Sequence, residues 1–165
     1  MPRETEGACK FALSSASTSP SSIDDALDFV AGYKVGNDVS ARELQFSDGQ
    51  WFRGKGMDTF CPLLNRIVPV SELGAADSLR VVQRLNGHLL QDAPTSDMVF
   101  DVPTLVEYVS EALTLEAGDV ILTGTPPGVG YFRDTPVGLT SGDVVEVEVE
   151  GIGCLTNPVI SSHRN

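Results

Sequence analysis

The sequence predicts a strand-rich α+β domain with two short helices. Valine and glutamate alternate from Val145 to Glu150, which is typical of a strand with one buried face and one solvated face. Asn86 and Gly87 separate two runs of β-prone residues, which indicates a hairpin closed by a type I′ turn. Apolar residues recur at helical spacing in two short segments of the chain.

Composition limits the classes of partner. The chain has 165 residues, enough for one domain with a buried core. Its net charge is −12 and its Lys and Arg residues do not cluster, so we expect neither nucleic acid nor a membrane as a partner. No apolar run approaches the ~20 residues of a membrane span, and the first residues lack the apolar core of a secretory signal. Cys9, Cys61 and Cys154 form no CxxC pair, which argues against a disulfide framework and favours a cytoplasmic location.

The chain is expected to divide into a leading segment, one domain and a tail. Residues 1–22 are predicted to be poorly defined, because the small, polar residues at 12–22 are typical of a flexible loop. Residues 23–160 form the predicted domain, and residues 161–165 form the tail.

The first helix is predicted from its N-terminal signal. Ser22 and Asp25 resemble a capping box, so a helix should begin at Ile23. Gly32 is expected to end the helix as its C-terminal cap, and a strand that carries Asp38 should follow. The apolar positions on one face of this helix are Ile23, Ala26, Leu27 and Val30.

The remaining elements are a hairpin, a second helix and two strands. The hairpin spans residues 79–90. Asp101 as N-cap and Pro103 in the first turn predict the second helix. Residues 119–123 and 145–149 are the strands that follow. The predicted buried stripe of the second helix comprises Val102, Leu105, Val106, Val109 and Leu113.

Residues 33–60 hold the densest set of candidate functional side chains and are expected to contain little helix. Asp38 lies within NDVSAR, inside a predicted strand, where an acid is disfavoured unless a metal ion or a salt bridge compensates it. Arg42 and Gln45 are three positions apart and can share one face of a helical turn. Lys55 lies between two glycines, which leaves its backbone uncrowded.

Three stretches together resemble one known family. They are NDVSAR with the glycine-bracketed Lys55, DVILTGTPPGVG over 119–130 and SGDVVEVEVEGIGCLTNPV over 141–159. They resemble the fumarylacetoacetate hydrolase family, of its C-terminal catalytic-domain type. The likeness implies a mixed β-sandwich roll and an enzyme that requires Mg²⁺ or Mn²⁺, with Ca²⁺ as an alternative ion. The implied reaction is C–C bond cleavage in a 1,3-diketo or 2-keto acid, by acylpyruvate-type hydrolysis or oxaloacetate-type decarboxylation. Keto–enol isomerisation uses the same enolate.

In that family, one Asp and a Glu-x-Glu pair on an earlier strand hold the metal ion. The resemblance therefore implies Asp38 as one ligand, with oxygen donors that suit a hard cation. Glu4-Thr5-Glu6 has the pattern of the pair. A second register aligns Glu6-Gly7-Ala8 with the pair and leaves the ion two carboxylates. A third interpretation places Glu4 and Glu6 in a frayed N-terminus, and the sequence leaves the three open.

The resemblance also implies roles for residues around the ion. Lys55 is expected to hold a carboxylate or enolate oxygen of the substrate; outside this context it would be read as a solvated loop lysine. Arg42 and Gln45 are expected to contact the distal end of the substrate. Thr125, with Gly124 before it, is expected to donate a hydrogen bond to the substrate carboxylate.

One motif of the family's hydrolases has no match in the sequence. Those hydrolases carry a His and a Glu on a lid before the Glu-x-Glu pair, and neither His88 nor His163 fits it. Loss of a general base costs a factor of about 10²–10⁴ in rate, so we expect slow hydrolysis and a smaller effect on decarboxylation or isomerisation.

Two hypotheses therefore stay open. One is a homodimeric enzyme that acts on a small keto acid or diketone. The other is a catalytically impaired remnant of the fold that serves as a binding or dimerisation module. Glu4 and Glu6 opposite Asp38 would favour the enzyme, and a disordered segment 1–20 would favour the remnant.

Overall fold

The strand-rich α+β class is confirmed by a computed structural model. The structure describes residues 22–161 in full and residues 4–14 by their backbone pairing alone. The described strands form one sheet of five strands and one of four. The strands are β1 Glu4–Ser14, β2 Val30–Tyr33, β3 Val35–Ser40, β4 Val68–Pro69, β5 Arg80–Leu85, β6 His88–Pro94, β7 Val120–Leu122, β8 Val144–Val149 and β9 Gly153–Pro158.

Helices connect the strands at several points. Within the described residues they are α1 Arg42–Asp48, α2 Trp51–Lys55, α3 Val70–Leu73 and α4 Val102–Ala112. Single 3₁₀ segments span Ile23–Phe29, Thr95–Asp97 and Gly130–Phe132. No helix in this part of the chain is long and apolar enough to cross a bilayer.

The five-stranded sheet is built around β1. Its order is β3-β1-β2-β4, and β7 pairs with a further stretch of β1. Every pairing in this sheet is antiparallel. The sequence predicts a poorly defined segment over residues 1–22, whereas the backbone of residues 4–14 forms this central strand. Residues 15–21 and 162–165 lie outside the described residues, and the domain boundaries stay a prediction.

The second sheet packs its apolar face against the first, and α4 contributes side chains to the same core. Its order is β6-β5-β8-β9. The alternation predicted for β8 is confirmed, since Val145, Val147 and Val149 are almost fully buried. Burial of each valine stabilises the folded state by at most about 1.5–3 kcal/mol. The same core cluster includes Val35 of β3 and Val102 of α4, so it lies between the two sheets.

Two local predictions are confirmed by backbone geometry. Asn86 and Gly87 have φ of 52° and 79°, the positive values that a type I′ hairpin turn requires. Asp101 caps α4, because its side chain accepts a hydrogen bond of 2.9 Å from the backbone N–H of Thr104. The predicted buried stripe of α4 is wrong at its end, since Leu113 lies beyond the last turn and is 63% exposed.

The predicted helical cap at Gly32 is wrong. Residues 23–29 form a 3₁₀ helix, and Gly32 lies inside β2. A Cβ at Gly32 would lie 2.4 Å from the carbonyl oxygen of Val68, so only a glycine lets β4 pack this closely against β2. The Ser22 hydroxyl donates to Asp25 Oδ2 at 3.0 Å instead of capping the helix.

The expectation of little helix within residues 33–60 is also wrong. This segment contains α1 and α2, of seven and five residues, and so the described chain has more than two short helices. Gly49 ends α1 in the left-handed conformation with φ of 71°. Helices this short are marginal in isolation, so their signal in the sequence is weak.

Candidate active site

Strand β3 presents two polar side chains at alternate positions, Asp38 and Ser40. Lys55, the last residue of α2, reaches both of them. Its Nζ lies 2.5 Å from Asp38 Oδ2 and 2.9 Å from Ser40 Oγ. The Lys55 and Asp38 side chains are 23% and 15% exposed, so the ion pair is partly shielded from water. The predicted neighbours Asp38 and Lys55 therefore meet, and Ser40 joins them.

Close packing of α2 on α1 brings Lys55 to this position. The carbonyl of Gly54 accepts a hydrogen bond of 2.8 Å from the N–H of Ala41, which follows β3 directly. A Cβ at Gly54 would lie 2.8 Å from the Cβ of Gln45, closer than real side chains approach. The glycine before Lys55 thus has a packing role, because it lets the two helices touch.

The backbone register of β1 bears on the predicted carboxylate pair. Glu6 pairs with Asp38 and Glu4 pairs with Ser40, and the register then shifts between Glu6 and Cys9. Directly opposed positions of an antiparallel pair belong to one face of the sheet. Positions 4 and 6 therefore share the face of Asp38, whereas the side chains of β1 lie outside the described residues. Among the side chains that are described, no three His, Cys, Asp or Glu residues cluster.

Arg42 and Gln45 share one turn of α1, as their spacing predicts. Arg42 Nη1 donates to Gln45 Oε1 at 2.6 Å, and both side chains are buried. The ring of Phe132 covers the guanidinium, with 5.5 Å between Arg42 Cζ and the ring centroid. The predicted contact of these two residues with the distal end of a substrate stays a prediction.

Thr125 and Gly124 line a separate cavity of about 260 Å³. The Thr125 hydroxyl accepts a hydrogen bond of 3.0 Å from Gln91 Nε2, which also donates to the carbonyl of Pro126 at 2.5 Å. Asp38 and Lys55 do not line this cavity. The other lining residues are Val81, Ala93, Pro94, Thr95, Asp97, Met98, Val99, Phe100, Leu105, Thr123, Pro126 and Pro127.

Cys61 lies within electrostatic reach of the ion pair. Burial raises the pKa of its thiol, the negative charge of Asp38 raises it further, and the positive charge of Lys55 lowers it. Its backbone has a φ of 55°, an uncommon value for a residue with a side chain. The thiol is therefore held in its neutral form, which makes it a weak nucleophile.

Sequence reasoning missed Ser40, Gln91 and Phe132. The two-residue period of a strand that carries Asp38 is a signal that could have pointed to Ser40. Gln91 and Phe132 reach their partners across 34 and 90 positions of the chain, and no local pattern predicts such contacts.

Comparisons with known proteins agree with the fold. The family profile described as fumarylacetoacetate (FAA) hydrolase C-terminal matches residues 11–160. The chain therefore belongs to the fumarylacetoacetate hydrolase family.

Curated relatives include several oxaloacetate tautomerases, two of which illustrate the similarity. The mitochondrial protein fahd2 of Xenopus laevis is 46% identical over 139 residues, which are 83% of this chain and 44% of the relative. YisK of Bacillus subtilis is 44% identical over 138 residues, 84% of this chain and 46% of the relative. The chain thus spans about half the length of these relatives.

Solved structures of the family superpose over nearly the whole chain. Fumarylacetoacetate hydrolase from Exiguobacterium antarcticum has a TM-score of 0.92 and 41% identity, covering 97% of this chain and 57% of its own. The 5-carboxymethyl-2-hydroxymuconate delta-isomerase from Mycobacterium smegmatis has a TM-score of 0.88 and 41% identity, covering 99% of this chain and 61% of its own. The relatives include hydrolases, isomerases and tautomerases. Membership of the family therefore determines the fold but leaves several reactions open.

Proposed function

We propose that this chain is a divalent-metal-dependent enzyme of the family that acts on 2-keto or 1,3-diketo acids through an enolate. The observation that carries the proposal is the Asp38–Lys55 ion pair at the β1–β3 register. The ammonium next to the carboxylate supports the proposal, as does the backbone register in which Glu6 is opposite Asp38 and Glu4 is opposite Ser40.

The residues at this point fit a hard cation. Asp38 supplies a partly buried carboxylate, and positions 4 and 6 of β1 share its face of the sheet. Oxygen donors of this kind suit Mg²⁺ or Mn²⁺, with Ca²⁺ as an alternative. We assign Asp38, Glu6 and Glu4 as the residues that would hold the ion. When bound, such an ion supplies a Lewis acid that polarises the oxygens of a keto acid.

The chain's own side chains have distinct roles in this proposal. Lys55 provides positive charge where the enolate oxygen develops negative charge. In this proposal the substrate spans the Asp38–Lys55 pair and the Thr125 cavity, and the hydrogen bond from Gln91 leaves the hydroxyl proton of Thr125 to donate to a substrate carboxylate. We assign Arg42 and Gln45 to the distal end of the substrate, beside the ring of Phe132 that lies over the Arg42 guanidinium.

The proposed reactions share the enolate and differ in the bond that changes. Hydrolysis of an acylpyruvate adds water to the acyl carbonyl and releases a carboxylic acid and the enolate of pyruvate. Decarboxylation of oxaloacetate releases CO2 and leaves the same enolate, which takes up a proton on carbon in both cases. Tautomerisation moves one proton between carbon and oxygen and leaves the carbon skeleton intact. The names of the two curated relatives favour oxaloacetate tautomerisation as the second candidate.

Turnover of defined substrates tests the proposal. Oxaloacetate and an acylpyruvate are supplied with Mn²⁺; ultraviolet absorbance follows the enol, and NMR detects pyruvate released by cleavage. We expect turnover that falls at least 100-fold in Lys55→Ala, since removal of a charge that stabilises the transition state costs about 10²–10³ in kcat. Lys34→Ala, which removes the same charge at the β2–β3 junction, serves as the control. Equal rates in both variants would remove Lys55 from the mechanism.

The competing hypothesis is an impaired remnant that acts as a binding or dimerisation module. It predicts no turnover with any of these substrates at millimolar Mn²⁺, together with self-association. We propose a homodimer in either case, supported by the exposed aromatic side chains of α2, where Trp51 and Phe52 are 61% and 79% exposed. Light scattering measures the mass, and a monomer at micromolar concentration would exclude the dimer.

A further inference from the structure

Lys55 neutralises the carboxylate that the proposed function assigns to a divalent ion. Its Nζ lies 2.5 Å from Asp38 Oδ2, so the ammonium donates a charge-assisted hydrogen bond to this carboxylate. A divalent cation that coordinates Asp38 therefore competes with the Lys55 ammonium for the same carboxylate. Both are positively charged, and they repel each other strongly where water is partly excluded.

We infer that Lys55 is a tethered cation that competes with the divalent ion for Asp38, and that Ser40 is the acceptor that retains its ammonium when the ion binds. This inference rests on the proposed function, because it presumes a divalent ion at Asp38. Ser40 Oγ is already 2.9 Å from Nζ, so a small rotation of the Lys55 side chain breaks the contact with Asp38 and keeps the one with Ser40.

The surroundings of Ser40 suit this role. The residue is fully buried within β3, and its hydroxyl lies 3.4 Å from the carbonyl oxygen of Asp38. A hydroxyl that donates to the backbone keeps lone pairs for the ammonium. Lys55 then stays beside the ion at the place where a substrate oxygen would develop charge.

Calorimetric titration with Mn²⁺, without substrate, tests the competition. We expect Lys55→Met to bind Mn²⁺ roughly tenfold more tightly than the unaltered chain, since it removes both the competitor and the repulsion. Lys34→Met is the matched control, because it changes the net charge equally. It should alter the affinity less than about twofold, since charges farther apart than the Debye length of about 10 Å are largely screened by salt. Lys55→Gln is a second neutral variant, in case the Met variant does not fold.

The outcomes separate this inference from the proposed function. Unchanged or weaker Mn²⁺ binding in both Lys55 variants, with clear binding by the unaltered chain, overturns the competition and leaves the metal site standing. No binding by the unaltered chain or by any variant overturns the metal site and the inference with it.

A double-mutant cycle tests the role of Ser40. Ser40→Ala should weaken Mn²⁺ binding about threefold when Lys55 is present and have no effect in the Lys55→Met background, since a pairwise coupling vanishes with its partner. Ser40→Thr retains the hydroxyl and should restore the affinity. Equal weakening in both backgrounds would show that Ser40 acts without Lys55. Melting curves without metal establish that each variant is folded.

Discussion

Gln83 and Gln91 lie directly opposite each other on β5 and β6, and both side chains are almost fully buried. Gln91 Nε2 donates to Thr125 and to the Pro126 carbonyl, whereas neither polar atom of the Gln83 side chain has a hydrogen-bond partner among the described residues. The two glutamines occupy paired positions in one hairpin and differ in the hydrogen bonds that their side chains make.

This difference predicts opposite effects of the same substitution. Gln91→Leu should lower the free energy of unfolding by about 1–3 kcal/mol, because it removes the two hydrogen bonds that Gln91 donates to Thr125 and to the Pro126 carbonyl. Gln83→Leu should be neutral or stabilising, since it replaces an unsatisfied buried amide with an apolar side chain of similar size. Urea denaturation measures both variants. A larger loss of stability in Gln83→Leu would contradict the assignment.

A second prediction concerns Gly54. Gly54→Ala places a Cβ within 2.8 Å of the Gln45 Cβ, so α2 must move away from α1. We expect a stability loss of about 1–3 kcal/mol, as for other overpacked sites, and a lower kcat, since Lys55 is the next residue. Ser47→Ala on α1, where the side chain is exposed, is the control for both measurements. Full activity in Gly54→Ala would show that Lys55 tolerates displacement of its helix.

A third prediction concerns stability at high pH. Burial, and then the negative charge of Asp77, raises the pKa of Tyr33 from 10.0 to about 12, while its hydroxyl donates to the Gly74 carbonyl at 2.7 Å. The folded state therefore holds the Tyr33 proton more tightly than the unfolded state. Its contribution to stability is complete below pH 10.0 and is lost as the pH rises towards about 12.

Urea denaturation at several alkaline pH values measures this loss. Tyr33→Phe should flatten the decline in stability over that interval, because the variant has no proton to release there. An identical alkaline decline in the variant and the unaltered chain would assign the loss to other groups.

A fourth prediction follows from the proposed metal site. Mg²⁺ or Mn²⁺ should raise the melting temperature by about 5–10 °C at concentrations about 100-fold above Kd, because ligands that bind the folded state stabilise it. Asp38→Ala should abolish the rise. Asp134→Ala removes the same charge at an exposed position and should retain it. The metal site is refuted by an equal rise in the two variants.

Local signals account for the parts of the fold that the sequence predicts. Asn86 and Gly87 both adopt the positive φ that their hairpin turn requires. Asp101 caps the helix that it precedes. The alternation in β8 requires only that one face of its sheet is buried. Each of these elements is determined by residues within a few positions of one another. For the same reason, Asp38 could be assigned to a strand before any partner was known.

Contacts between distant parts of the chain account for what the sequence did not predict. Gly32 has the pattern of a helical cap, yet the approach of Val68 from β4 requires a glycine inside a strand. Gly54 flanks Lys55, and its packing against Gln45 depends on the angle between two short helices. The division of the predicted site between the Asp38 pair and the Thr125 cavity likewise depends on the arrangement of both sheets.

The pairing of β1 has a consequence for synthesis on the ribosome. Phe11 pairs with Leu122, so more than a hundred residues are translated between β1 and the last strand that pairs with it. Until then β1 exposes an open edge, which is a site for misassembly with other nascent chains. Slow codons or a bound chaperone before residue 122 would therefore affect the yield of folded protein more than the same pause after it.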